Sequence, residues 1–250
     1  MSGLVLREDK NGCATLTLNR PDQLNALSVE LFIELRAHID EIAIQTDTVG
    51  LVVLRGAGRG FSAGNDLGGI AAGRLPPKPH FQATTIDRLA NLPQPVIAAV
   101  HGFCFTGALE LALGADIIIA AQTAKFADTH AKFGLTPGWG MSQRLPRRVG
   151  SAKAREMSFT CRSYSGVEAA AIGLVNHCVA DDAFVAELDA LSAQILENSW
   201  HTNRANKRLY NETDGLPLSA GLAHEIFRTE GRGPDVQERI AAFKNKAKRL

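Results

Sequence analysis

Three short runs of small and β-branched apolar residues constrain the fold of this chain more than any other feature. They are "VGLVVLR" (49–55), "PVIAAV" (95–100) and "ADIIIAA" (115–121). Runs of this length and composition are typical of strands buried on both faces. Helical patterns separate the three runs, so the sequence predicts an α/β core.

The flanking segments support this assignment. Residues 13–19, "CATLTLN", alternate as a strand does, and residues 28–45 place four apolar side chains at helical spacing behind Ser28, a candidate N-cap. Three prolines within 71–80 predict a loop before a helix over 81–91. From about Asp181 onward strand signals vanish and four amphipathic patterns follow. An all-helical tail is therefore predicted after the core.

Charge and cysteine content exclude several classes of function. Lys and Arg number 27 against 26 Asp and Glu, so the net charge of +1 gives no whole-surface attraction for nucleic acid or an anionic membrane. The four cysteines are scattered, which predicts neither a disulfide framework nor a metal site. No secretory signal and no apolar run of about 20 residues are visible. We expect a cytoplasmic protein that must meet any anion locally.

A glycine-rich turn, "GRGFSAGNDL" (59–68), directly follows the first apolar run. Such a turn presents backbone N–H groups to a negative ligand. A dinucleotide fingerprint starting at Gly56 needs a third glycine where Phe61 stands, and the shifted pattern meets Ala63 instead. A dinucleotide site is therefore disfavoured relative to a plain structural turn.

A second glycine segment changes this balance. In "HGFCFTGALELALGADIIIA" (101–120), Gly107 stands where an apolar helix begins, and Glu110 lies three residues inside it among apolar neighbours. Two turns that offer N–H groups beside a carboxylate predict an oxyanion hole with a proton-transfer residue.

Six ordered segments resemble the enoyl-CoA hydratase/isomerase (crotonase) family over essentially the whole chain. The resemblance implies a crotonase-like spiral of ββα repeats over residues 1–195, which binds acyl-CoA, and a helical region over 196–250 that forms trimers, commonly stacked as hexamers. It implies an acyl-CoA thioester substrate and no cofactor beyond the coenzyme A that the substrate carries. The segments are "LNRPDQLNAL", "FSAGNDL", "VHGFCFTGALELALGADIIIA", "FADTHAKFGLTPGWGMSQRLPRRVG", "GLVNHCV" and "AAFKNKAKRL".

The same resemblance assigns the catalytic positions. The backbone N–H groups of Asn65 and Gly107 match the pair that binds the thioester oxygen in this family. Glu110 matches the first of two catalytic glutamates, and the N–H of Gly138 matches the group that holds the catalytic water. His130 stands where the hydratases have their second glutamate.

His130 has two interpretations. As an imidazolium favoured by nearby Asp128, it delivers a proton to the substrate, or it only orients Asp128 or Glu110. If residues 124–130 are extended, Phe126, Asp128 and His130 share one face of the strand.

The remaining matched positions concern substrate binding. Trp139 and Met141 stand where the family pattern is usually small, so they either narrow the acyl pocket or belong to the core. In the tail, an aromatic and a basic position match those by which a neighbouring subunit closes over the nucleotide. The predicted CoA-binding residues are Gln23, Leu24, Asn25, Ala26, Ala63, Gly64, Asp66, Leu67, Phe243 and Lys246.

We therefore predict hydration of trans-2-enoyl-CoA, with Glu110 as the base that activates water and His130 as a candidate proton donor. The alternative enzyme is a Δ3,Δ2-enoyl-CoA isomerase, in which Glu110 alone moves the proton. A non-catalytic acyl-CoA-binding relative is the alternative from another class. The retention of Gly107, Glu110 and Gly138 argues against it.

Overall fold

The computed structural model describes residues 3–247, except for the side chains of Ile70, Lys246 and Ala247. The strands are β1 (Val5–Lys10), β2 (Cys13–Leu18), β3 (Leu51–Gly56), β4 (Val96–Val100), β5 (Phe103–Phe105), β6 (Ile117–Ala121), β7 (Lys125–Ala127), β8 (Tyr164–Ser165) and β9 (His177–Val179). The helices are α1 (Val29–Ala43), α2 (Leu67–Ala71), α3 (Phe81–Ala90), α4 (Gly107–Ala112), α5 (Met141–Val149), α6 (Ser151–Thr160), α7 (Gly166–Ala171), α8 (Phe184–Glu197), α9 (Trp200–Thr213), α10 (Leu218–Arg228) and α11 (Val236–Ala247). Short 3-10 turns occur at Pro21–Gln23 and His130–Phe133.

The larger sheet has the strand order β1-β2-β3-β4-β6-β9 within the described residues. Only the β1–β2 pair is antiparallel, and the other pairs are parallel. Every residue of β4 is buried, and β3 is buried except for Arg55. The three apolar runs are therefore the central strands, as predicted from their composition.

Helix α1 covers one face of this sheet. The Ser28 hydroxyl accepts a hydrogen bond from the Leu31 amide at 3.2 Å, which confirms the predicted N-cap. The apolar face of α1 buries five side chains in the main core, as the 3.6-residue period predicts. They are Leu31, Phe32, Leu35, Ile39 and Ile42.

A smaller sheet, in the order β5-β7-β8, lies beside the start of α4. A bridge between Ser62 and Cys104 places the glycine-rich turn next to β5, and a second bridge joins Leu27 to Asn65. The turn is thus fixed between residue 27 and β5, with α4 beginning two residues after β5 ends. This arrangement brings the two glycine segments of the sequence together.

Helices α8 to α11 form the predicted helical tail. Helix α8 packs on the sheet through Leu188, which clusters with Val53 and Ile119. The predicted division between residues 195 and 196 lies inside α8 and stays a prediction. Within residues 3–247, no helix combines the length and the apolar character needed to cross a bilayer.

Candidate active site

A cavity of about 140 Å³ lies at the first turn of α4. It brings together six residues that the sequence analysis singled out, although they come from three separate segments. The lining residues are Asn65, Thr106, Gly107, Glu110, His130, Leu135, Thr136, Gly138 and Trp139.

Two backbone amides that line this cavity, those of Asn65 and Gly107, are available to a ligand. The bridge to Leu27 uses the carbonyl of Gly64 and the amide of Asp66, at 2.8 and 3.3 Å, and leaves the intervening amide of Asn65 out. Within residues 3–247, neither the Asn65 nor the Gly107 amide donates a hydrogen bond to the protein. Both can therefore donate to a carbonyl oxygen placed in the cavity.

The approach of these two segments requires glycine at position 64. Gly64 has φ +103°, and a Cβ there would lie 2.6 Å from the Phe105 carbonyl oxygen and 3.6 Å from the Gly107 amide nitrogen. Any larger residue would clash with the Phe105 carbonyl and push the turn away from the end of β5, next to which α4 begins.

Glu110 is 1% exposed, and its carboxylate faces the cavity. Its Oε1 accepts hydrogen bonds from the backbone amides of Trp139 and Met141 at 2.9 and 3.0 Å. Its Oε2 lies 3.7 Å from His130 Nε2. Burial raises the pKa of Glu110, and this effect outweighs the two amide bonds and the charge of His130.

His130 is held from its other side by Asp128. The Nδ1 atom lies 2.7 Å from Asp128 Oδ1, and because a carboxylate can only accept, Nδ1 donates and Nε2 faces Glu110. Burial opposes the charged imidazolium, but the hydrogen bond to Asp128 and the charges of Asp128 and Glu110 outweigh it and raise the pKa of His130. A charged imidazole is therefore favoured between two carboxylates.

Asp128 is in turn fixed by α6. Ser158 Oγ donates to Asp128 Oδ2 at 2.7 Å, and the His130 amide donates to Oδ1 at 3.2 Å. Burial raises the pKa of Asp128, but the hydrogen bonds from His130 and Ser158 outweigh it, so the net pKa is lowered. The result is a chain of contacts from Ser158 through Asp128 and His130 to Glu110.

The structure decides the condition on which a shared strand face for Phe126, Asp128 and His130 depends, namely that residues 124–130 are extended. Strand β7 ends at Ala127, and a 3-10 turn begins at His130. The condition holds only over residues 125–127, so Asp128 and His130 do not share a strand face with Phe126. Asp128 and His130 meet because Asp128 accepts the His130 amide within a turn, a local side-chain bond typical of aspartate.

Trp139 packs directly over the Gly107 backbone. A Cβ at Gly107 would lie 2.5 Å from Trp139 Cζ3, and the indole meets Phe32 edge-to-face with 5.1 Å between ring centroids. Met141 is buried in the main core. The indole therefore occupies space beside the cavity, whereas Met141 contributes its amide to Glu110. Gly138 is exposed, and nothing lies within 4 Å of a Cβ built there.

The predicted CoA-binding residues fall into two groups. Gln23, Leu24, Asn25 and Ala26 form a tight loop in which the buried Asn25 amide group donates to the carbonyls of Ala57 and Gly60, each at 2.8 Å. The backbone carbonyl of Leu24 accepts from Ala63 at 2.9 Å. These residues support the glycine-rich turn, and their contact with CoA stays a prediction.

Other members of that set lie at the surface. Asp66 pairs with Arg20 at 3.0 Å, and Leu67 is exposed. Burial opposes ionisation of Asp66, but bonds from the Gly69 amide and Arg20 outweigh it and lower its pKa. Phe243 is 73% exposed on α11, whereas the Lys246 side chain lies outside the described residues. Within residues 3–247, no cluster of three or more His, Cys, Asp or Glu side chains is arranged to hold a metal ion.

Sequence reasoning missed Thr106, Thr129 and Ser158. Ser158 lies 30 residues from Asp128 on a different helix, and no spacing rule connects the two. Thr106 lines the cavity with an unusual backbone conformation, φ +51° and ψ −109°. A threonine preceding a helix reads as an ordinary N-cap, so the sequence carries no signal for that conformation.

The known proteins that this chain resembles in sequence and in structure carry the names of enoyl-CoA hydratases and isomerases. The profile of the enoyl-CoA hydratase/isomerase family matches residues 8–249. A probable enoyl-CoA hydratase of Mycobacterium tuberculosis is 36% identical, with 96% of this chain and 93% of that protein covered. The 1,2-epoxyphenylacetyl-CoA isomerase of Escherichia coli is 33% identical, with 97% and 96% covered. The crystal structure of an enoyl-CoA hydratase from Bacillus anthracis superposes with a TM-score of 0.91 at 31% identity, covering 97% of this chain and 96% of the other.

Proposed function

The chain belongs to the enoyl-CoA hydratase/isomerase family, and from that premise we propose that it hydrates trans-2-enoyl-CoA to 3-hydroxyacyl-CoA. The observation that carries the proposal is the placement of Glu110 and His130 in one small cavity with the free amides of Asn65 and Gly107. Addition of water across a conjugated thioester requires a base, an acid and donors to the thioester oxygen, and the carboxylate, the imidazole and the two N–H groups can fill these roles.

The two amides bind the thioester oxygen. As water attacks Cβ, the electrons of the double bond move toward the thioester and negative charge accumulates on this oxygen. Fixed N–H donors stabilise that charge without reorganising, and loss of one donor in other enzymes costs roughly 100- to 1000-fold in turnover.

Glu110 and His130 handle the two protons. Glu110, as the carboxylate, accepts a proton from water while the hydroxide oxygen bonds to Cβ. His130, as the imidazolium, donates the Nε2 proton to Cα and becomes neutral. The proton on Glu110 then returns to His130, whose Nε2 lies 3.7 Å from Glu110 Oε2. This transfer restores both starting charges.

The test is a panel of thioesters followed by mass spectrometry. We expect crotonyl-CoA and longer 2-enoyl-CoA substrates to gain one water, with one deuterium at Cα when the reaction runs in D₂O. Binding of these substrates without any mass change would instead indicate the non-catalytic alternative and contradict the proposal.

A second candidate is the Δ3,Δ2-enoyl-CoA isomerase. The observation in its favour is that only one glutamate lines the cavity within the described residues, and one carboxylate is enough to move a proton between Cα and Cγ. Conversion of 3-hexenoyl-CoA without hydration of 2-hexenoyl-CoA would select this candidate.

The helical tail supports a proposal about assembly. Helix α10 exposes Leu218, Leu222 and Ile226 on one face, and a second copy of this chain would cover that face in the trimers or hexamers expected for the family. In this arrangement Phe243 and Lys246 close over the nucleotide of a neighbouring subunit.

The assembly is tested by substitutions on α10. Ultracentrifugation should show that Ile226→Asp dissociates, whereas Ser219→Asp on the same helix stays assembled. A binding titration should show that Ile226→Asp also loses affinity for CoA. A monomeric unaltered protein would contradict the proposal.

The cytoplasmic location of the protein stays a prediction.

A further inference from the structure

Thr106 adopts a backbone conformation that its side chain disfavours. Its φ of +51° and ψ of −109° fall outside the regions open to β-branched residues, and glycine is the residue that normally occupies such a position. The side chain is 9% exposed and lines the catalytic cavity. Strained residues of this kind persist only where surrounding contacts over-determine them.

The contacts of the Thr106 backbone explain what this conformation achieves. Its amide donates to the Ala127 carbonyl at 2.8 Å, and its carbonyl accepts from the Glu110 amide at 3.0 Å as the first bond of α4. The carbonyl of Thr106 and the N–H of Gly107 belong to one planar peptide and point in opposite directions. Because the carbonyl points along the helix, the Gly107 N–H points away from it toward the cavity.

The Thr106 hydroxyl is used on a different segment. It accepts the Thr129 amide at 3.1 Å and contacts the Thr129 hydroxyl, and it makes no cap bond to its own helix. Thr129 lies between Asp128 and His130. One side chain therefore joins the peptide that carries the Gly107 donor to the turn that carries the imidazole.

We propose that Thr106 is a positioning residue that holds the Gly107 amide and the His130 turn in register, at the cost of backbone strain. This inference rests on the proposed function for its catalytic consequence, but the strain is measurable without any substrate. In the folded protein the Thr106–Thr129 contact fixes the distance between the oxygen-binding donor and the proton donor.

The strain is tested by comparing Thr106→Gly with Thr106→Ala. Both lack the hydroxyl, but only alanine keeps a Cβ in the disfavoured region. Ser199, an N-cap with φ −63°, provides a matched site for the same pair of substitutions. At each site the measured quantity is the melting temperature of the Gly variant minus that of the Ala variant. We expect this difference to be larger at Thr106 than at Ser199 by about 2–4 °C or more. Equal differences at the two sites would show that the backbone of Thr106 is not strained.

The coupling is tested by enoyl-CoA hydration kinetics. We expect Thr106→Gly to lower kcat about 10- to 100-fold with KM within about threefold, despite its relieved backbone. Thr129→Val removes only the hydroxyl contact and keeps the bond from the Thr129 amide to Thr106 Oγ1, so it should lower kcat less, about two- to tenfold. The double variant Thr106→Ala/Thr129→Val should fall no further than Thr106→Ala, because that substitution already removes both contacts. Thr106→Ser, which keeps the hydroxyl, should recover most of the kcat that Thr106→Ala loses.

Two results would separate the possible failures. Unaltered kcat in both Thr106→Gly and Thr106→Ala, or full additivity of the Thr106→Ala and Thr129→Val substitutions, would overturn the positioning role while leaving the hydratase intact. Absence of hydration by the unaltered protein would defeat the proposed function and the catalytic part of this inference together, and the melting comparison would still decide the strain.

Discussion

The two sides of the catalytic cavity are built differently. Glu110 lies on α4, a helix buried along its whole length, and two backbone amides hold its carboxylate. His130 is the first residue of a 3-10 turn, and residues 131–138 after it are exposed. Its imidazole is held by the side chain of Asp128, which is itself bound by Ser158. The carboxylate of Glu110 is thus fixed by the core and the backbone, whereas the imidazole of His130 is held by the side chain of Asp128.

This difference separates two kinds of sensitivity. Substituting neighbours of Glu110 leaves its two amide donors in place, because backbone groups do not change with the side chain. Substituting Asp128 removes a charge that sets the protonation of His130. We therefore expect the pH profile to be controlled from the His130 side of the cavity.

The largest effect is expected for Glu110→Gln. The amide group has nearly the same shape but cannot accept the proton of water, so turnover of crotonyl-CoA should fall about 1000-fold or more while the melting temperature changes little. Glu187→Gln on α8 serves as the control and should retain turnover. Hydration by Glu110→Gln near the unaltered rate would reject Glu110 as the base.

Next in size is His130→Ala, which removes the proposed proton donor. We expect turnover to fall about 100-fold, less than for Glu110→Gln, because water entering the vacated space can supply a proton. His177→Ala on β9, far along the sequence from the cavity segments, provides a matched control. An unchanged rate in His130→Ala would reject His130 as the proton donor.

Asp128→Asn should shift the pH dependence more than the maximal rate. His130 acts as an acid, so kcat/KM falls as pH rises through its pKa, which the hydrogen bond and charge of Asp128 raise. Loss of that charge lowers this pKa and moves the alkaline limb to lower pH. The acid limb of the profile follows Glu110. Burial raises the pKa of Glu110, and the charge of Asp128 raises it further. Loss of that charge therefore lowers the pKa of Glu110 and moves the acid limb to lower pH as well. If both limbs of the pH profile stayed in place, Asp128 would not control the protonation of His130 and Glu110.

The smallest effect is expected for Ser158→Ala. Asp128 keeps its charge and its contact with His130 but loses one hydrogen bond, so kcat should fall about two- to tenfold with KM unchanged. Ser151→Ala, at the exposed start of the same helix, is the control. A loss as large as that of His130→Ala would show that Ser158 does more than orient Asp128.

Much of the architecture follows from local patterns in the sequence. The central strands β3, β4 and β6 and helix α1 appear within about two residues of their predicted bounds, because apolar runs and 3.6-residue periodicity report burial directly. Strand β1 and the short strands β5, β8 and β9 were not predicted, and β7 was considered only as a condition. They have few residues or mixed polarity, and pairing with a neighbour defines them.

The chemistry of the site divides in the same way. The sequence by itself determined that Glu110 lies three residues inside an apolar helix that begins at Gly107, because helical spacing is local. That His130 stands at the position of the second glutamate is what the family resemblance implies, and its role stays a proposal. Only the tertiary structure decided that Nδ1 of His130 binds Asp128, that Ser158 supports it, and that Thr106 reaches Thr129. These contacts join residues that periodicity does not relate, and their geometry arises when separate elements pack against one another.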